Sequence, residues 1–160
     1  MFRLLTVVFL CTYAGSASNV FILPAAKAPA ALHQCTRDTP QGVEGFWTPS
    51  ASQIAALERN LATFIETRPR ERHGIVFAPR ALPSDGHHTV VALDQYRRQY
   101  VGFIKGGKRY VYGNFYMSSR APKDEASQAV SVCDGGWAYW GITYSVESGE
   151  FNDLQLNWVG

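Results

Sequence analysis

The clearest hydrophobic pattern in the chain lies in residues 47–69, WTPSASQIAALERNLATFIETRP. Its large apolar residues fall three and four positions apart, the spacing of one helix face: Ile54, Leu57, Leu61, Phe64 and Ile65. Thr48 can cap the start, with Pro49 in the first turn. Ser50 with Gln53 offers a capping box instead. The segment predicts one helix, ended by Pro69, that packs its apolar face on a sheet.

Shorter apolar runs, separated by turn residues, predict strands in the rest of the chain. One brief strand is expected within residues 72–88, and residues 97–116, RRQYVGFIKGGKRYVYGNFY, predict a β-hairpin. Three further strands are expected in AVSVC (129–133), WAYWGITYS (137–145) and FNDLQLNWV (151–159). The predicted fold class is α+β, with one N-terminal helix on a four- to five-stranded antiparallel meander, cystatin-like or similar.

The hairpin carries two glycines inside its strands, Gly102 and Gly113. If Gly106 and Gly107 form a two-residue turn, the numbers of facing residues sum to 213, and Tyr100 lies opposite Gly113. An aromatic ring lying across a glycine repairs a weak strand position. These glycines are therefore predicted to let the sheet twist, or to let another element approach closely.

One face of the hairpin is unusually rich in rings, and its amides face each other as a pair. The rings are Phe103, Tyr110, Tyr112 and Tyr116, and the facing amides are Gln99 and Asn114. Rings and amides together are suited to hold sugars or extended peptide. The alternative is that residues 18–47 cover this face, pinned there by Cys35. The sequence leaves both interpretations open.

The first 17 residues have the composition of a secretory signal peptide. Arg3 precedes an 11-residue apolar run, LLTVVFLCTYA, and the small residues GSA precede Ser18. The run is too short to span a bilayer. We expect export to the periplasm or the medium, with no stable membrane anchor after cleavage. The expected domains are an irregular arm, 18–47, and a single α+β domain, 48–160.

Cleavage would leave two cysteines, Cys35 and Cys133. Two thiols in an exported chain most simply form one disulfide. A catalytic thiol is the alternative, but it needs a base, and His33 is the only candidate near either cysteine in sequence. The sequence favours the disulfide.

The charge is nearly balanced, with 15 basic and 13 acidic residues in the full chain. A near-neutral domain is not typical of nucleic-acid-binding proteins, so no nucleic-acid partner is expected. The charges are unevenly spread, because residues 68–109 hold nine basic and three acidic residues, whereas 121–160 hold one basic and six acidic. This asymmetry indicates either two solvated surfaces or a surface that steers a protein partner.

No motif for a cofactor, a phosphate or a catalytic triad occurs, so no cofactor or catalytic residue is assigned. His87 and His88 are adjacent and would point to opposite faces of a strand, so no metal site is predicted. Asp134, before two glycines, can accept hydrogen bonds from its own turn. It could also grip a ligand as an exposed carboxylate.

Two resemblances are present. QYVGF resembles the QxVxG loop of cystatins at Gln99 and Val101, although Phe103 stands where that loop has its last glycine. More broadly, FWTPSASQIAALERNL, RQYVGFIKGGKRYVYGNFY and CDGGWAYWGITYSVESGEFNDLQLNW resemble a group of small exported bacterial domains whose function is not described. That resemblance covers about residues 46–158 and implies a single helix-plus-sheet domain in the bacterial cell envelope.

These features together predict an exported, non-enzymatic module that binds a protein or an envelope glycan, and inhibitors and immunity-type proteins are examples of such modules. The predicted contact residues are Tyr110, Tyr112, Asn114, Gln99, Arg97, Asp134, Trp137 and Trp140. An envelope hydrolase using Asp134 with a distant His or Glu is an alternative. A purely structural domain whose aromatic residues are all buried is another.

Overall fold

The computed structural model describes residues 19–67, 75–80, 86–87 and 89–158. The expected signal segment, residues 1–17, and Pro69 lie outside these ranges. The elements, in chain order, are β1 (Val20–Ile22), α1 (Ala28–Leu32), β2 (Val43–Trp47), α2 (Ala51–Thr67), β3 (Ile75–Ala78), β4 (Thr89–Ala92), β5 (Tyr96–Lys105), β6 (Lys108–Met117), β7 (Tyr139–Ser145) and β8 (Phe151–Leu156).

The main sheet has six strands and mixed direction. Its order is β1-β5-β6-β7-β8, with β2 also beside β5, and β1 runs parallel to β5 whereas the other neighbours are antiparallel. A separate pair, β3 and β4, is parallel. The predicted architecture, one N-terminal helix on an antiparallel meander of four or five strands, is therefore wrong. The protein is sheet-rich, and β1, α1 and β2 all precede the long helix α2.

The difference arises in residues 19–47, which were expected to be an irregular arm. β1 pairs with one half of β5, at Arg98–Tyr100, and β2 pairs with the other half, at Gly102–Lys105. β1 is only three residues long, so it gives no alternating pattern that could be recognised from sequence. β2 does alternate between half-buried and exposed residues over VEGFW. Its sequence signal is weak, however, because Glu44 and Gly45 are residue types that are uncommon in strands.

The β5–β6 hairpin forms as predicted. Gly106 and Gly107 make the turn with φ of +57° and +67°, values that suit glycine. Gln99 faces Asn114, and Tyr100 faces Gly113, so the predicted register is confirmed.

The mid-strand glycines allow aromatic rings to lie against the backbone. A Cβ at Gly113 would stand 2.8 Å from the Tyr100 ring, and a Cβ at Gly102 would stand 2.6 Å from Trp47. The close neighbour of Gly102 is thus strand β2. Both glycines are required by packing.

Helix α2 covers one face of the sheet with the predicted stripe. Ile54, Leu57, Leu61 and Ile65 are at most 3% exposed, and they belong to the main core together with side chains of β5, β6 and β7. The capping box is the one built on Ser50, because Ser50 N donates to Gln53 Oε1 at 2.9 Å and Gln53 N donates to Ser50 Oγ at 3.3 Å.

The opposite face of the sheet is covered by α1 and its flanking residues, which pack on the half of the hairpin nearest its turn, against Val101, Phe103 and Tyr112. The predicted disulfide between Cys35 and Cys133 is present. It joins the segment that follows α1 to the segment that precedes β7. Among the described residues, no helix is long and apolar enough to cross a membrane.

Candidate functional site

The ring-rich face of the hairpin is covered by the N-terminal segment of the chain. Phe103 and Tyr112 are 1% and 6% exposed, and they pack in one cluster with Leu23, Ala31 and Leu32. Tyr110 is half-buried and stacks on Phe103, with 5.3 Å between ring centroids. The second sequence interpretation of this face therefore describes the structure, and only a small part of the Tyr112 side chain is exposed.

The amides Gln99 and Asn114 are also buried, and they bind the chain's own backbone. Gln99 Nε2 donates to the carbonyl oxygens of Glu125 and Gln128, and Val130 N donates to Gln99 Oε1 at 2.8 Å. Asn114 Nδ2 donates to Val130 O at 2.7 Å. These predicted contact residues hold the connection between β6 and β7 on the sheet.

Arg97 is used in the same region. Its guanidinium pairs with Glu125 at 2.5 Å, and Glu125 also accepts a hydrogen bond from Tyr116 Oη at 2.8 Å. Burial, reinforced by Glu125, raises the pKa of Tyr116. Arg97 therefore serves an internal, half-buried network.

The predicted contact residues Trp140 and Asp134 do not form one surface, because Trp140 is buried and Asp134 is exposed. Trp140 is fully buried in the main core, stacked on Phe115 with 3.7 Å between centroids. Asp134 is exposed, and within the described ranges its carboxylate makes no hydrogen bond or ion pair and lines none of the grooves described below. Nothing there supplies the second titratable group that a hydrolase would need. Nor do any three His, Cys, Asp or Glu side chains of the described part converge as a metal site.

Trp137 has a different position, on a groove beside strand β8. The groove encloses about 700 Å³. Trp158 also lines it, is 72% exposed, and is the more exposed of the two large apolar side chains that project from the described surface. The lining residues are Thr36, Asp38, Ile75, Gly136, Trp137, Asp153, Leu154, Gln155, Leu156, Asn157 and Trp158. We call this the β8 groove.

The disulfide holds two walls of the β8 groove together. Thr36 and Asp38 follow Cys35 closely, and Gly136 and Trp137 follow Cys133 closely. Further bonds fix the strand end between these walls, since Trp158 N donates to Thr36 Oγ1 at 3.4 Å and Gly136 N donates to the carbonyl oxygen of Trp158 at 3.3 Å.

The described ionisable residues that line the groove are both acidic. Asp38 and Asp153 also line a smaller adjoining cavity of about 190 Å³, which Tyr112 and Thr143 border from the sheet side. Asp153 has a φ of +53°, at the point where the β7–β8 register shifts by a bulge. This conformation is uncommon for a residue other than glycine, and aspartate tolerates it better than most.

Asn157 contributes a buried acceptor to the groove wall. It is 4% exposed, and its Nδ2 donates to the carbonyl oxygens of Val132 and Asp134 at 2.6 and 3.2 Å. These two acceptors fix the orientation of the amide. Its Oδ1 is buried and has no hydrogen-bond donor within the part of the chain that the structure describes.

Arg37 lies behind this region, between the arm and the sheet. It is 6% exposed, its Nη2 donates to Asn114 Oδ1 at 2.8 Å, and its guanidinium lies 5.9 Å from the centre of the Tyr112 ring. Burial lowers the pKa of Arg37. Because this side chain is enclosed, its role is to fix the arm on the sheet.

Sequence reasoning found Trp137 but missed the other residues of the groove. Trp158 follows the end of β8, where a pattern search for strands treats it as one more strand residue. Asp38 comes from a segment with no periodic pattern. The spacing of Asp38 and Trp137 from the two cysteines is the signal that could have placed them together.

No protein-family model, curated protein or solved structure matches the chain.

Proposed function

We propose that the protein is an exported, non-enzymatic module that binds a protein or an envelope glycan in the β8 groove. The exposure of Trp158 above a groove of about 700 Å³ carries this proposal. A tryptophan side chain is normally buried in the protein or exposed where it contacts a ligand, because it offers a large apolar surface and one hydrogen-bond donor.

Two further features support binding. The β8 groove combines apolar residues with a few polar groups, which is the usual composition of ligand sites. Its walls are cross-linked by the disulfide, so the site is held in shape before a ligand arrives, and less free energy is lost on binding. The same disulfide supports an oxidising, exported location.

The test is capture from envelope extract with the immobilised, oxidised protein. Trp158→Ala should lose the captured partner. The matched control is Phe46→Ala, because Phe46 is the other exposed large apolar residue, at 40%, and lies on β2 at the opposite edge of the sheet. Both substitutions are at exposed sites and should leave the unfolding midpoint nearly unchanged.

Loss of capture with Trp158→Ala and its retention with Phe46→Ala is the expected result. Equal capture by wild type and Trp158→Ala would overturn the proposal, as would loss that appears only with Phe46→Ala.

A further inference from the structure

The course of the β8 groove along the sheet indicates what kind of ligand fits it. The residues that line the groove include Leu154, Gln155 and Leu156, the last three residues of β8 beyond the bulge. Successive side chains of a strand point to opposite faces of the sheet. A groove bordered by all three therefore follows the edge of β8, beside its backbone, instead of crossing one face.

β8 ends the strand order, and no described strand pairs with its outer side. The unpaired stretch ends before Trp158, whose N and O are bonded to Thr36 and Gly136. An unpaired strand edge presents backbone N–H and C=O groups that an extended polypeptide can join as an additional strand. The bulge at Asp153 disturbs the first part of β8, whereas Gln155 and Leu156 pair regularly with Gly141 and Trp140. The usable edge is the second half of the strand.

The charge of the lining selects among extended polypeptides. Asp38 and Asp153 line the groove, and the described residues that line it include no Lys, Arg or His. Trp137 and Trp158 add indole faces, which attract cations through their ring electrons. An acidic ligand would be repelled by the two carboxylates, whereas a basic one would gain from both carboxylates and rings.

We infer that the β8 groove binds an extended, basic polypeptide segment, which adds to the edge of β8 and places a Lys or Arg side chain near Asp38, Asp153 and the two indoles. This inference rests on the proposed function, and it identifies the ligand as a protein rather than a glycan. The backbone edge gives affinity, and the carboxylates and indole rings select the basic side chain.

The experiment measures binding of fluorescein-labelled synthetic hexapeptides to the oxidised protein by fluorescence polarisation. The probe is Lys-Val-Lys-Val-Lys-Val. Its two matched peptides are Gln-Val-Gln-Val-Gln-Val, which removes the charge, and an N-methylated Lys-Val peptide, which keeps the charge but cannot form strand hydrogen bonds. A soluble oligosaccharide of N-acetylglucosamine is added as a competitor.

We expect the Lys-Val peptide to bind at least tenfold more tightly than either matched peptide. Asp38→Asn/Asp153→Asn should weaken it about tenfold and remove its advantage over the Gln-Val peptide, because asparagine keeps the shape and tolerates the positive φ at position 153. Asp134→Asn/Glu150→Gln, which removes two exposed carboxylates outside the groove, should change the affinity less than twofold.

Failure of this inference is distinguishable from failure of the proposed function. If Trp158→Ala weakens all three peptides equally and charge has no effect, the groove binds but the basic-segment inference is overturned. Displacement by the oligosaccharide that depends on Trp158 would overturn it in favour of a glycan. If Trp158→Ala leaves the binding of every peptide and of the oligosaccharide unchanged, both the proposed function and this inference are overturned. Self-association through β8, seen by sedimentation and blocked by Trp158→Ala, would also overturn the inference.

Discussion

Asn114 lies directly opposite Gln99 in the hairpin, and both amides point into a buried layer where they bind the backbone of residues 125–130. Asn114 Nδ2 is 3.5 Å from Gln99 Oε1, so the two side chains form one small network with Val130. Gln99 and Asn114, which the sequence suggested as ligand contacts, therefore attach the β6–β7 connection to the sheet.

Asn114→Ala should destabilise the protein by about 1–3 kcal/mol, because it removes the acceptor of the buried Arg37 Nη2 and leaves Val130 O with only its weaker bond from Gln34 Nε2. Urea unfolding followed by circular dichroism measures the change. Thr63→Ala, at an exposed site on α2, is the control and should change stability by less than about 0.5 kcal/mol. A cost for Asn114→Ala no larger than that of the control would contradict the structural role of the amide pair.

Gly141→Ala should also be costly, although it adds only one methyl group. The new Cβ would collide with Tyr112 Oη and would stand 2.5 Å from Arg37 Nη1. Both neighbours are buried and cannot move aside freely, so we expect a loss of about 1–3 kcal/mol. Gly45→Ala is the matched control, because the nearest atom to its Cβ would be Ile104 Cδ1, at an ordinary 3.8 Å. Equal unfolding midpoints for the two variants would be inconsistent with this packing.

Reduction of the disulfide should lower the free energy of unfolding by about 2–5 kcal/mol. The bond closes a long loop, since the two cysteines are 98 positions apart, and both are exposed to solvent. Urea titrations with and without dithiothreitol measure the difference. Cys35→Ser/Cys133→Ser provides the control, because its midpoint should resemble that of the reduced protein and should not respond to dithiothreitol.

Alkaline pH should destabilise the fold. Burial raises the pKa of Tyr96, Tyr100, Tyr112 and Tyr116, so these groups keep their protons in the folded state while the unfolded chain loses them near pH 10. Their contribution is therefore complete below about pH 10 and is lost as the pH rises above it, at up to about 1.4 kcal/mol per tyrosine and pH unit. Unfolding in urea at pH 9, 10 and 11 measures the slope, and Tyr112→Phe should reduce it. A midpoint that stays constant from pH 9 to 11 would refute the prediction.

The parts of the fold that were predictable depend on local chemistry. Gly106 and Gly107 define the hairpin turn, and from that turn the whole β5–β6 register follows. Ser50 and Gln53 mark the helix start in the same way. β1 was not predictable, because three residues pairing in parallel with β5 leave no local signature. The predicted meander lacks this edge of the sheet, because the sequence of the N-terminal segment does not indicate the strands that pair with β5.

The candidate site shows the same limit. The rings on the hairpin were correctly placed on one face, but whether that face is open depends on Leu23 and Leu32, which reach it from a distant segment. Trp137 was among the predicted contact residues, and its partner Trp158 was not. The hydrophobic pattern of the sequence cannot predict that Trp137 and Trp158 line one groove, because this depends on a hydrogen bond between Gly136 and Trp158 that forms only in the folded protein.

The disulfide also bears on when the β8 groove is assembled. Disulfides form readily in oxidising compartments and rarely in the cytosol, so under the proposed export Cys35 and Cys133 are joined after the chain has left the cytosol. Before that, no covalent bond holds together the segments that follow the two cysteines. Under the proposed function, oxidation would thus complete the binding site only outside the producing cell's cytosol.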